Sequence, residues 1–229
     1  MTFVLFCNPR YGHAFERAFR AWCARRGERG FFVVRSLRGE FGTGGPVRAR
    51  LRTALRRARI AAGDAASRWH GENLLHVEDV NAPAFRDRLR RAPPPVFGVV
   101  AGFNQIFRPG TIGLFERLYN FHPSLLPYYR GPVPSYWCIR NGEERTGITL
   151  HKIGAEVDRG RILWQAALPI ATTDPEALDG QLSRLGADVL PALLDHFADG
   201  SAPPSAQVAA DEVYRVKVDY RSFPRPEGH

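Results

Sequence analysis

The sequence predicts an α/β fold built on an open, mostly parallel sheet with helices on both faces. Three observations carry the prediction. Short runs of β-formers alternate with amphipathic stretches, one unbroken apolar run stands at Val96 to Phe103, and proline- and glycine-rich turns separate the two periodicities.

Thr2 to Cys7 is an apolar run rich in β-formers, and Ala14 to Arg26 follows it with Phe15, Ala18, Phe19 and Trp22 at helical spacing. Phe31 to Val34 reads as a buried strand. After the turn-rich FGTGGP, Val47 to Ala61 reads as a helix with Leu51, Ala54, Leu55 and Ala58 on one face. Leu74 to Val77 is a weaker strand, and Asn81 to Arg91 a short helix capped by Asn81 with Pro83 in its first turn, stopped by the run of three prolines at 93–95. The run VFGVVAGF is that of a central parallel strand covered on both faces.

The pattern then tightens into a strand at Leu118 to His122, a helix at Pro134 to Asn141, strands at Gly147 to Ile153 and Arg161 to Leu168, and a helix at Asp174 to Phe197. The last two strands finish the sheet as a mixed edge. Residues 1–197 form the expected catalytic domain, and 198–229 a linker and C-terminal extension in which Val213 to Tyr220 alternates like an added strand or hairpin arm.

At 229 residues, 44% hydrophobic and 24% charged, the chain has the composition of a globular domain with a real core, which excludes collagenous and disordered classes. The formal charge of +9 invites a nucleic-acid reading. Only Lys152 and Lys217 are lysines, however, and arginine-for-lysine usage beside abundant alanine and proline reads as coding bias. The arginines crowded between Arg48 and Arg59 are read the same way, as a solvated helix face. Cys7, Cys23 and Cys138 show neither a CxxC nor a zinc-ligand spacing, so free thiols and no metal are expected. With no leader pattern and no segment approaching the ~20 apolar residues of a span, a cytoplasmic location is expected.

GxGxxG, P-loop, HExxH and GxSxG patterns are absent. The segment NFHPSLLP is the informative one. Asn120 and His122 stand two residues apart at the end of a predicted strand, so both side chains point to one side, at the carboxyl edge where open α/β sheets gather their ligands. Asp158 follows in the loop GAEVDRGRIL between two strands of the same sheet. An amide, an imidazole and a carboxylate suit acyl transfer: the first steadies a developing oxyanion, the second moves protons, and the third orients or charges the second.

NFHPSLLPYYRGPVPSYW, then GITLHKIGAEVDRGRILWQAALPI, with VVAGFNQIF upstream, resembles the folate-dependent formyltransferase superfamily. That group includes the glycinamide ribonucleotide, methionyl-tRNA and sugar N-formyltransferases. The resemblance implies a Rossmann-like domain using N10-formyltetrahydrofolate, with Asn120, His122 and Asp158 as its catalytic residues. It further implies that Asn104, Gln105, Ile106 and Phe107, together with Ala155, Glu156 and Val157, enclose the pterin, largely through main-chain hydrogen bonds. Tyr129, Arg130, Tyr136 and Trp137 are weaker candidates for shaping an acceptor pocket. His151 and His196 read as structural.

The chain departs from relatives in two places. Purine-pathway members bind the ribonucleotide phosphate with a glycine- and serine-rich loop after the first strand, where this chain has CNPRYGHAFE. The tRNA-specific members carry a further C-terminal barrel of about a hundred residues, for which little sequence remains here. The expected acceptor is therefore a primary amine on a small molecule: an amino sugar, a nucleotide-linked amino sugar, or an amino-acid or secondary-metabolite amine. Glycinamide ribonucleotide, methionyl-tRNA and a folate-binding or deformylating relative stand as alternatives. Nucleic acid and membrane partners are not expected, and the segment 211–229 is compatible with strand exchange in a homodimer.

Overall fold

The computed structural model describes residues 1–9, 11–37 and 73–217. The helix expected at Val47 to Ala61 and the end of the arm expected at Val213 to Tyr220 lie outside the described residues. The described elements are β1 (Thr2–Cys7), α1 (His13–Arg26), β2 (Phe31–Ser36), β3 (Leu74–Val77), α2 (Pro83–Arg91), β4 (Val96–Ala101), α3 (Pro109–Ile112), β5 (Arg117–His122), α4 (Pro134–Arg140), β6 (Arg145–Lys152), β7 (Ile162–Pro169), α5 (Pro175–Asp199) and α6 (Ala210–Val213).

The seven strands form one sheet in the order β3-β2-β1-β4-β5-β6-β7. The first five run parallel, and β6 is antiparallel to both neighbours, which makes the mixed edge. Chain order reverses between β1 and β4, so the crevice characteristic of such folds opens beyond the carboxyl ends of these strands, beside β5. Every residue of β1 and β4 is buried, as two-sided cover requires.

Alternation along β1 divides the core. Phe3 and Leu5 face Phe15, Phe19 and Trp22 of α1 and Leu182, Leu190 and Phe197 of α5, whereas Val4 and Phe6 face Phe85 and Leu89 of α2 on the other side. Phe6 sits among the rings of Phe85, Phe103, Phe107 and Phe115, at centroid distances from 4.9 to 6.0 Å. Helix α5 lies close to the sheet because Gly186 carries no side chain: a Cβ there would stand 2.6 Å from the Phe15 ring and 2.8 Å from Ile148.

Three local expectations differ from the structure. β4 ends at Ala101 rather than Phe103, because Gly102 takes a left-handed φ of 65° and turns the chain out of the sheet. Asn81 does not cap α2, whose N-cap is Ala82; its amide instead accepts from Arg108 N at 2.8 Å and donates to Ile106 O at 2.9 Å, tying down the loop after β4. Residues 213–217 are no strand: α6 ends at Val213, and among the described residues the main chain of the extension forms one β-bridge to the sheet, Ala206 beside Trp164. Residues 206–214 pack with Leu125, Tyr129, Trp137 and Cys138 as a third apolar cluster. Among the described residues no helix is long and apolar enough to cross a membrane.

Candidate active site

The site grows from the period of β5. Phe121 turns into the core against the Phe15 ring, 4.8 Å away, so Asn120 and His122 share the opposite face. The His122 ring is buried, and its Nε2 stands 2.9 Å from the carbonyl oxygen of Tyr129. A carbonyl only accepts, so Nε2 carries the proton. Nδ1 is then the nitrogen left for proton exchange, and it faces Asp158 Oδ2 at 3.8 Å.

Asp158 is brought there by the loop between β6 and β7. The loop closes on Gly160, where a Cβ would fall 1.6 Å from the Lys152 carbonyl oxygen, and Asp158 itself adopts a left-handed φ of 55°. Its Oδ2 accepts from Gly131 N at 2.9 Å and its carbonyl accepts from Arg130 Nε at 3.1 Å, so the segment after His122 and the loop of Asp158 hold one another.

His151 completes the group. It is paired with Asn120 in the β5–β6 register, and Asn120 Nδ2 meets its Nε2 at 3.1 Å. Its Nδ1 donates to its neighbour's carbonyl, Lys152 O, at 3.1 Å, which leaves Nε2 as an acceptor and orients the amide of Asn120. Burial, and after it the charge of His122, pulls the His151 pKa down to about 4, against the opposing pull of Asp158. A neutral His151 therefore lies 3.7 Å from Asp158 Oδ1.

The structure thus brings together Asn120, His122 and Asp158 and adds His151, which reads as structural from the sequence alone. The signal for it is non-local: only the antiparallel register puts residue 151 opposite residue 120. The three cysteines are free and buried, and desolvation raises each thiol to about 12, so none supplies a thiolate nucleophile.

Several expected binding residues turn inward instead. The Gln105 side chain is buried, accepting from Val80 N at 2.9 Å and donating to Ser36 Oγ at 2.7 Å, which joins the ends of β2 and β3. Phe107 packs on Phe6. Tyr129 and Trp137 belong to the third apolar cluster and cannot wall an acceptor pocket, because burial of large apolar surface outweighs its display. Of the remainder, Asn104 and Val157 are half-buried, Ala155 is exposed, and Glu156 is exposed and paired with Arg159 at 3.3 Å. Arg130 is half-buried against Asp158, and Tyr136 half-buried against Trp137. Ile106 is 67% exposed, an apolar side chain left uncovered at the rim of the loop after β4.

Comparison with known proteins gives this geometry a context. The profile described as "Formyl transferase" matches residues 52–194, more than half the chain. A methionyl-tRNA formyltransferase of Roseiflexus sp. (strain RS-1) is 39% identical over 142 residues, covering 60% of this chain and 42% of that protein. This chain accordingly aligns with less than half the length of the curated relatives it matches. Among solved structures, glycinamide ribonucleotide transformylase 1 from Symbiobacterium toebii superposes with a TM-score of 0.62 at 21% identity, covering 87% of this chain and 88% of that one. A sugar 3N-formyl transferase, solved in the presence of dTDP and 5-N-formyl-THF, superposes with a TM-score of 0.58 at 20% identity, covering 91% and 67%. With the sheet order, the grouped amide, imidazole and carboxylate, and a matching profile in agreement, the chain belongs to the formyl transferase family.

Proposed function

We propose that this protein transfers a formyl group from N10-formyltetrahydrofolate to a primary amine of a small molecule. The observation that carries the reading is the convergence of Asn120, His122 and Asp158, with the His122 tautomer set by Tyr129 O. Asn120 has a second N–H beyond the one given to His151, available to negative charge developing on an acyl oxygen. His122 Nδ1 takes and returns a proton, and the carboxylate of the half-buried Asp158, 3.8 Å away, faces the charge that forms. His151, held neutral, adds no competing positive charge.

The uncovered apolar surface of Ile106 fits contact with a flat heteroaromatic ring, and the loops 102–108 and 153–161 would hold that ring beside the site. When bound, the folate supplies an activated formyl carbon for amine attack. Support for the cofactor comes from the family and from the formyl-THF present with the sugar 3N-formyl transferase.

The region after β1 bears on the acceptor. Asn8 Oδ1 accepts from Tyr11 N at 2.7 Å and Gly12 N at 3.4 Å, so the amides preceding α1 are already engaged by the chain's own side chain. An acceptor carrying its phosphate at that point is disfavoured, which supports an amino sugar or comparable amine over glycinamide ribonucleotide. A methionine amine borne on tRNA is the second reading, favoured by the curated relatives. The test is to incubate the protein with N10-formyltetrahydrofolate and a panel comprising amino sugars, nucleotide-linked amino sugars, glycinamide ribonucleotide and methionyl-tRNA. Formylation of a small amine, seen by mass spectrometry, supports the first reading. Formylation of methionyl-tRNA alone supports the second, and cofactor hydrolysis without any acceptor overturns both.

A further inference from the structure

The carbonyl that sets the His122 tautomer belongs to a residue in a demanding conformation. Tyr129 has a φ of 54°, which a side chain with a Cβ adopts only where its surroundings hold it there. Its ring is fully buried. The hydroxyl donates to Glu143 Oε1 at 2.6 Å and accepts from Asn141 Nδ2 at 3.1 Å, and the ring packs on Tyr214 at a centroid distance of 4.8 Å.

The other end of this hold is the C-terminal extension. Glu143, itself 4% exposed, accepts from the main-chain N–H groups of Arg215 at 2.8 Å and Val216 at 2.9 Å, so one carboxylate clamps the extension to the Tyr129 hydroxyl. Tyr214 reaches under the same segment, where its hydroxyl accepts from Leu125 N at 2.8 Å and meets Thr146 Oγ1 at 2.9 Å. Leu125 and Tyr129, the two ends of the turn after His122, are thereby gripped by one strap. The bonds of Tyr129 to Glu143, of Leu125 to Tyr214 and of Tyr214 to Thr146 are buried, where a lost partner costs most, and the other three are partly buried.

We propose that Tyr214 and Glu143 are positioning residues for His122: they hold Tyr129 so that its carbonyl keeps the proton on Nε2 and leaves Nδ1 turned toward Asp158. The inference rests on the role given to His122 in the proposed function. The strap acts on the imidazole through the Tyr129 main chain. Residues 206–216 then serve the catalytic centre rather than merely covering an apolar cluster.

The test uses the full chain with Tyr129→Phe, Tyr214→Phe and Glu143→Gln, each checked for folding by circular dichroism. The Phe variants keep both rings and carry the test should Glu143→Gln not fold. Ring-nitrogen NMR of 15N-histidine protein, with His122 assigned by its loss in His122→Ala, reads which nitrogen bears the proton. Wild type should show Nε2–H alone, and the variants a mixture of tautomers. Where a formyl acceptor is in hand, kcat should fall between about 10- and 100-fold with KM for amine and folate changed less than about 3-fold. Redistributed tautomers in a chain that transfers no formyl group would uphold the positioning and overturn the proposed reaction. An unchanged Nε2–H tautomer in all folded variants, with formyl transfer intact, would overturn the positioning and leave the reaction standing.

Discussion

Asn120 and His151 face each other across the antiparallel pair of β5 and β6, and the amide nitrogen of one meets the ring nitrogen of the other at 3.1 Å. The contact requires a neutral imidazole, because a doubly protonated ring has no lone pair to accept with. Burial meets that requirement by holding the His151 pKa down at about 4.

A stability consequence follows. The unfolded chain titrates His151 near 6.5 and the folded chain near 4, so between these values the unfolded state binds more protons. The stabilisation is complete above pH 6.5 and is lost as pH falls through 4, to a total of about 3 kcal/mol. Urea titrations across that window should show a falling free energy for wild type. In His151→Gln, whose carbonyl can still accept from Asn120, the slope should flatten, and an equal slope would refute the assignment.

His122→Ala should reduce formyl transfer by at least about 10³-fold, combining the loss of proton transfer with the loss of imidazolium charge. It leaves the Tyr129 carbonyl without this donor in a buried place, at a cost of about 1–3 kcal/mol, which a domain of this size can bear. Circular dichroism should therefore remain that of a folded protein. Activity near wild type in the folded variant would remove His122 from the mechanism.

Asp179 behaves in the opposite sense to His151. Burial raises its carboxyl to about 6, partly offset by the hydrogen bond that Ser135 Oγ donates to it. The folded state holds this proton more tightly than the unfolded state, so stability falls as pH climbs from 3.8 through about 6. Asp179→Asn keeps an acceptor for Ser135 and removes the buried charge. It should stabilise the protein by about 1–2 kcal/mol at pH 7.5, with the advantage shrinking toward pH 4, as read by denaturant midpoints. Destabilisation at pH 7.5 would show that the charge is wanted there.

Asn81 pins the loop after β4 through Ile106 O and Arg108 N. If that loop holds the pterin, Asn81→Ala should weaken a stable N10-formyltetrahydrofolate analogue by about 10-fold in calorimetric titration while costing only about 1 kcal/mol of stability. Equal affinity in the two proteins would place the ring elsewhere.

Asn8 Oδ1 takes the N–H groups of Tyr11 and Gly12 ahead of α1 in the manner of a cap. Asn8→Ala should cost about 1 kcal/mol in thermal denaturation, and Asn8→Ser less. No change on either substitution would mean that these amides find water equally well.

Much of this architecture was readable in one dimension because its causes are local. The unbroken VFGVVA could only be covered on both faces, and β4 does lie inside the sheet between β1 and β5. Two-residue periodicity puts Asn120 and His122 on one face, and helical spacing likewise turns Phe15, Phe19 and Trp22 into the core. What folding alone decided concerns partners distant in sequence and residues outside any repeat. His151 entered the site through strand register, and Asp158 through a loop whose closure depends on a glycine against Lys152 O. Tyr129 and Trp137 read as candidates for a pocket wall, and the packing of Ala210 and Tyr214 against them makes them core. Asn81 looked like a cap because such residues usually find the nearest amides, but two main-chain groups of a loop 25 and 27 residues away were better placed. Periodicity constrains which face a side chain occupies, whereas the identity of what meets it there is settled only when the burial of the whole chain is complete.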